Sequence, residues 1–228
     1  MAKNAKGVNS RYSLLVTKKN MIITNTNIQK TRHEVMQFDG EWLESFGTPS
    51  PHGTWIIFGS SGSGKTTFAL RLAKYLTQFG RVVYWSIEQG NTLSFQRAWQ
   101  REQMADVGGG VIVADDEETT DTIAELMCVR RGRQIVIIDS LTPLRALQFD
   151  IRAYERWRKR MKGKLLIFLS HERQGAPDSS VGDYIYKLAD LKMRVEGYRV
   201  MTNTRAGESL ADYTIWKEGA EQYWLENI

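Results

Sequence analysis

Trp55-Ile56-Ile57-Phe58-Gly59-Ser60-Ser61-Gly62-Ser63-Gly64-Lys65-Thr66-Thr67 is the stretch on which the fold turns. Its four leading apolar residues read as a short buried strand, and Gly59 to Thr66 then fits G-x-x-x-x-G-K-[ST] at every fixed position. Phe68, Ala69, Leu72, Leu76 and Phe79 follow at helical spacing and stop at Gly80. Strand, glycine loop and helix in that order aim the N–H groups of Gly59, Ser60, Ser61, Gly62, Ser63 and Gly64 and of the first helical turn at one point, where phosphate oxygens can sit. Lys65 is then placed to reach β- and γ-phosphates, and the Thr66 hydroxyl to ligate Mg²⁺, with Thr67 beside it in the same turn.

Outward from this loop the pattern alternates. Val82–Ile87, Val111–Val113, Ile135–Ile138 and Leu165–Leu169 are further apolar runs, separated by predicted helices over 91–106, 121–131 and 149–162. Strands that are apolar throughout and spaced by helices require a parallel sheet covered on both faces. Near the end the rhythm changes. Leu191–Val195 and Arg199–Thr202 flank Glu196-Gly197, and Tyr213–Trp216 and Gln222–Leu225 flank Glu218-Gly219, which predicts antiparallel hairpins added to the parallel sheet. The expected class is α/β, one domain over 34–228, its start marked by a short helix carrying Phe38, Trp42, Leu43 and Phe46.

Before that domain the chain is polar and reads as an extended arm. Residues 1–33 contain Lys3, Lys6, Arg11, Lys18, Lys19, Lys30 and Arg32 with no acid, so this stretch is +7 and, of a chain total of +5, the rest is −2. Such an arm binds nucleic acid or an acidic partner, or is a solvated tail. One Cys in 228 residues excludes an internal disulfide, and one Cys with three His excludes a structural zinc site without borrowed carboxylates. No apolar run approaches the roughly 18 residues of a membrane span, and the first residues lack the pattern of a secretory signal, so a cytoplasmic protein without membrane partners is expected.

A phosphate site of this kind needs a carboxylate for the metal at the end of another buried strand. Asp139, directly after Ile135–Ile138, occupies that place, together with Thr66. Hydrolysis also needs a group to deprotonate or orient water. No Glu follows Asp139. Glu88, at the end of Val82–Ile87, is the chosen base, with Glu172 and Asp115 as other candidates. Ser170-His171, at the end of Leu165–Leu169, is placed to sense phosphate, or is structural.

These motifs, GSSGSGKTT, YWSIEQG, IVIIDS and LIFLSH, resemble the RecA-like branch of P-loop ATPases, which includes the RecA, RadA and KaiC proteins and the DnaB-type helicases. The resemblance covers about residues 53–216 and is shared with compact ATPases of phages and other mobile elements. It implies an ATP- and Mg²⁺-dependent hydrolase that assembles as a homo-oligomer, ring or filament, with nucleotide held between subunits. It also implies a late hairpin carrying a Lys-x-Arg pair that acts on a neighbour's nucleotide. Here Asn203 stands at the Lys position, so Arg205 alone carries over, while Lys192-Met193-Arg194 offers the same spacing on the preceding strand.

In RecA-like proteins the loops corresponding to 141–150 and 172–183 hold DNA. The second is rich in Gly, Ser and Pro, which suggests mobility, and has one Arg against three acids, a poor footprint for a polyanion. The segment 149–162 carries Arg152, Arg156, Arg158, Lys159, Arg160 and Lys162 around a buried stripe of Tyr154, Trp157 and Met161; its cations contact DNA or form a solvated face. Three functions fit: a DNA-associated motor or replication and recombination factor, a KaiC-like switch or loader that organises another protein, and a small-molecule kinase. The last requires an Arg-rich lid, and none is evident.

Overall fold

The computed structural model describes residues 25–129, 131–144 and 146–226, and the chain divides into two units, 1–33 and 34–228. In the first, Asn25–Lys30 forms the short helix α1. The polar sequence suggested extended chain here, but the segment holds neither Pro nor Gly, so nothing in its backbone opposes a helical turn. The rest of the arm lies outside the described residues.

The second unit runs α2 (Gly40–Phe46), β1 (Gly53–Gly59), α3 (Lys65–Leu76), β2 (Val82–Ser86), α4 (Leu93–Arg101), a 3₁₀ segment (Met104–Gly110), β3 (Val111–Ala114), α5 (Thr120–Cys128) and β4 (Ile135–Asp139). It continues through α6 (Leu141–Leu144), α7 (Ile151–Arg160), β5 (Leu165–Arg173), β6 (Ala176–Pro177), α8 (Ser180–Leu188), β7 (Leu191–Glu196), β8 (Arg199–Thr204), β9 (Tyr213–Thr214) and α9 (Lys217–Glu226). Side chains start several helices as the sequence chemistry requires. Thr92 accepts from the N–H of Phe95, Thr119 from Thr122, Asp150 from Ala153 and Ser179 from Gly182, each satisfying a helix-end donor that has no partner within the helix.

The strands order as β3-β2-β4-β5-β1-β7-β8-β9, with β6 paired to β5. From β3 to β7 every neighbour is parallel; β8 and β9 add antiparallel. Successive residues of β1, β2, β4 and β5 feed opposite cores. Trp55, Ile57, Tyr84, Ile137, Ile167 and Leu169 pack with α2, α3 and α4, whereas Ile56, Val83, Trp85, Val136, Ile138 and Phe168 pack with α5, α7 and α8. Burial on both faces is why these strands are apolar without alternation. Tyr154, Trp157 and Met161 are buried as the stripe of α7 predicts.

Three segments differ from the sequence expectation. The helix predicted over 91–106 stops at Arg101, because Gln103 takes φ 53° and the Gly108-Gly109-Gly110 run favours a looser path. The stretch 172–183, expected as a mobile loop, instead extends β5, turns through Gln174-Gly175 into β6 and starts α8 at Ser180. Gln222–Leu225, expected as a strand, lies in α9, since four residues are too few to separate helical from extended spacing. Among the described residues no helix is long and apolar enough to cross a membrane.

Phe168 is fully buried, with Tyr154 and Trp157 edge-on to its ring at centroid distances of 5.7 and 6.2 Å. Phe168→Ala is expected to destabilise the fold by about 3–5 kcal/mol through lost burial and the cavity left behind. Urea unfolding checks this: the midpoint should fall with the slope unchanged.

Candidate active site

The carboxyl ends of β1, β5, β4 and β2 lie side by side, and β5 separates the strand of the glycine loop from the strand of Asp139. Register sets the heights: Gly59 sits opposite His171, and Ser86 opposite Asp139. Residues far apart in sequence therefore meet at one edge, where open α/β sheets bind ligands. The cleft there holds about 630 Å³ and is lined by loop residues together with Glu88, Asp139 and His171.

The loop's shape depends on its glycines. Gly64 takes φ +104°, and a Cβ at Gly59 would stand 2.1 Å from the backbone oxygen of Val195 on β7, so only glycine fits there. Lys65 is buried and folds its ammonium back to donate to Ser60 O at 2.7 Å. Desolvation pulls its pKa below the usual lysine value, while the charges of Asp139, Glu88, Glu172 and Asp178 oppose that shift. Of these carboxylates, Asp139 and Glu88 line the cleft beside the ammonium.

Thr66 and Asp139, the two residues expected to hold a metal, are in contact, the Thr66 hydroxyl donating to Asp139 Oδ2 at 3.1 Å. Tyr84 donates to the same oxygen at 2.6 Å from inside the core. Burial raises the Asp139 carboxyl above its ordinary value, and the hydroxyls of Tyr84 and Thr66 counter this by hydrogen-bonding the charged form. The sequence reading placed Tyr84 only within a strand and a motif and gave it no role at the site, although a tyrosine inside an otherwise apolar run is the signal that could have found it. A hydroxyl and a carboxylate in contact, beside a glycine cradle and a lysine, fit a magnesium–triphosphate group.

Glu88 lies two residues past the end of β2 and faces the same cleft. Its backbone N–H donates to Asp139 O at 3.0 Å. Ser140 donates to its Oε2 at 2.5 Å, and His171 Nε2 to its Oε1 at 3.2 Å. Both carboxylate oxygens are thus oriented by protein donors. The alternatives are otherwise engaged. Glu172 is 7% exposed and held by a bidentate pair with Arg194, and Asp115 accepts from the N–H of Glu117. Of the cations on β7, Arg194 also pairs with Glu196, and the Lys192 ammonium lies 4.9 Å from the centre of the Tyr186 ring.

Arg205 stands elsewhere. Its N–H donates to Asp190 O and the Asp190 N–H to Thr54 O, which ties it to the beginning of β1, the edge opposite the glycine loop. It shares a cleft of about 260 Å³ with Arg158, Lys162 and Lys164. On α7, Arg158 and Arg160 pair with Glu155 and Asp121, while Arg152, Arg156 and Lys159 are exposed.

Several residues that line the phosphate cleft were not singled out in the sequence. Arg71 pairs with Glu102 at 2.7 Å, Arg101 donates to Thr67 Oγ1 at 3.1 Å, and Tyr198, Ile215 and Trp216 close one side. Arg71 lies on α3, the helix that follows the loop, but the spacing of the others does not link them to it, because they come from α4, the turn between β7 and β8 and the segment after β9.

No protein-family model matches the chain, and no curated protein matches it. Among solved structures it is similar to the flagellar accessory protein FlaH from Methanocaldococcus jannaschii, at 19% identity and a TM-score of 0.55, over 79% of this chain and 92% of that one. The chain has the RecA-like α/β fold, a mainly parallel sheet with helices on both faces and antiparallel strands at its C-terminal side.

Proposed function

We propose that this chain is a Mg²⁺-dependent ATP hydrolase of the RecA type that works as a homo-oligomer on DNA. The observation that carries the hydrolase reading is one edge of the sheet bearing the glycine loop with Lys65, the Thr66–Asp139 contact and an oriented Glu88. Loop N–H groups and Lys65 bind the phosphates; Thr66 and Asp139 hold the metal. Bound Mg²⁺ supplies charge neutralisation at the phosphate oxygens. Glu88, held by Ser140 and His171, accepts a proton from water at a carboxylate oxygen. His171, beside both the loop strand and Glu88, is suited to sense whether the last phosphate is present.

Arg205 supports the oligomer. It lies at the edge opposite its own phosphate cleft, and in the proposed oligomer it would act on the triphosphate of a neighbouring copy. The exposed cations of α7 support DNA, with replication or recombination of a phage or mobile element as the setting that the resemblance suggests. Mg²⁺-dependent ATP hydrolysis at low salt, with and without single- or double-stranded DNA, is the test. Stimulation by DNA that fades as salt rises is expected. Turnover indifferent to DNA would replace this reading with the protein-organising switch.

A further inference from the structure

Tyr84 is fully buried in the middle of β2, its ring centroid 5.7 Å from that of Phe95. A buried phenol needs a partner for its hydroxyl, and packing alone would be served as well by phenylalanine. The partner is Asp139 Oδ2, at 2.6 Å. Register explains the reach. Tyr84 stands opposite Ile137 on β4, and Asp139, two residues further along that strand, points to the same face, so the long ring carries its hydroxyl forward to the end of the neighbouring strand.

This contact decides what Asp139 offers to the cleft. A carboxylate turns about a soft torsion, so without a fixed donor its two oxygens have no set direction. Oδ2 accepts from Tyr84 on the core side and from Thr66 on the loop side, whereas Oδ1 accepts no hydrogen bond among the described residues. Asp139 is only 5% exposed, yet it lines the phosphate cleft. One oxygen is therefore held and the other is left for a ligand. Of the two donors, Thr66 is itself assigned to the cation; the Tyr84 hydroxyl is sealed in the core and serves only to hold the carboxylate.

We infer that Tyr84 is a positioning residue: it sets the direction of the Asp139 carboxylate and thereby favours Mg²⁺ over Ca²⁺ at this site. The inference rests on the Thr66–Asp139 metal reading above. Mg²⁺ requires near-ideal octahedral geometry, whereas Ca²⁺ accepts varied angles and distances, so a carboxylate free to turn penalises the smaller ion more. Loss of a group that orients a metal ligand lowers metal affinity by about 10–100-fold.

Calorimetric binding of ATP in Mg²⁺, in Ca²⁺ and in EDTA, with wild type, Tyr84→Phe and Tyr154→Phe, tests the assignment. Tyr84→Phe keeps the buried ring and removes only the hydroxyl. Tyr154→Phe removes an equally buried hydroxyl, bonded to Thr54 Oγ1 at 3.2 Å at the opposite edge of the sheet, and controls for a general loss of stability. Tyr84→Phe should lose about 10–100-fold of the affinity that Mg²⁺ adds over EDTA, lose less of what Ca²⁺ adds, and match wild type in EDTA. Tyr154→Phe should match wild type throughout. An unchanged Mg²⁺ gain in Tyr84→Phe, an equal loss with both metals, a matching loss in EDTA or the same loss in Tyr154→Phe would overturn the inference while leaving the metal pair in place. Wild type that gains nothing from either metal would overturn the metal pair, and the inference with it.

Discussion

Lys65→Ala is expected to weaken Mg·ATP binding by a hundredfold or more while the chain stays folded. The ammonium is buried, and its main contact within the chain is one carbonyl, Ser60 O. Most of its hydrogen-bonding capacity is therefore available to a ligand. Charge-assisted hydrogen bonds contribute about 1.5–3 kcal/mol each, so losing two to phosphate oxygens costs roughly two to four orders of magnitude in affinity. The substitution also leaves Asp139 and Glu88, which line the same cleft, without the charge that offsets them. Stability should change little, because removing a desolvated ammonium relieves a burial cost as it removes a contact. Calorimetry with thermal unfolding as the control measures both; affinity within tenfold of wild type would remove the phosphate reading.

Glu88→Gln should separate binding from turnover. The amide keeps the shape of the side chain and can still accept the Ser140 hydroxyl, but it cannot take a proton from water. The expected result is a fall in kcat of about 10²–10⁴ with nucleotide affinity within a few-fold of wild type. The two other candidate bases are engaged elsewhere, Glu172 with Arg194 and Asp115 in the turn after β3. Equal hydrolysis by both proteins would place the proton acceptor outside this carboxylate.

The features legible in the sequence are those written into short windows. The glycine loop, the helix after it and Asp139 at the end of an apolar run each occupy fewer than about 20 consecutive residues, so spacing alone locates them. The same holds for the stripe of α7. Short segments whose composition or spacing fits more than one conformation were misread. The 172–183 stretch looks like a loop by composition, yet it pairs Glu172 with Pro177 and caps α8 with Ser179. Residues 222–225 look extended, yet they lie in α9, which buries Gly219 and Ala220.

By itself the sequence determined the parallel α/β class, the position of the glycine loop and the choice of Thr66 and Asp139 as candidates at the strand ends, because hydrophobic period, glycine placement and strand ends are local properties. Only the tertiary structure decided who meets whom. Strand order put β5 between β1 and β4, and register brought His171 and Ser140 onto Glu88, Tyr84 onto Asp139, and Trp216 to the mouth of a loop about 150 residues earlier in the chain. It likewise sent Arg205 to the opposite edge. These juxtapositions follow from which strands pair and at what height, and a periodicity of 2 or 3.6 residues carries no information about either.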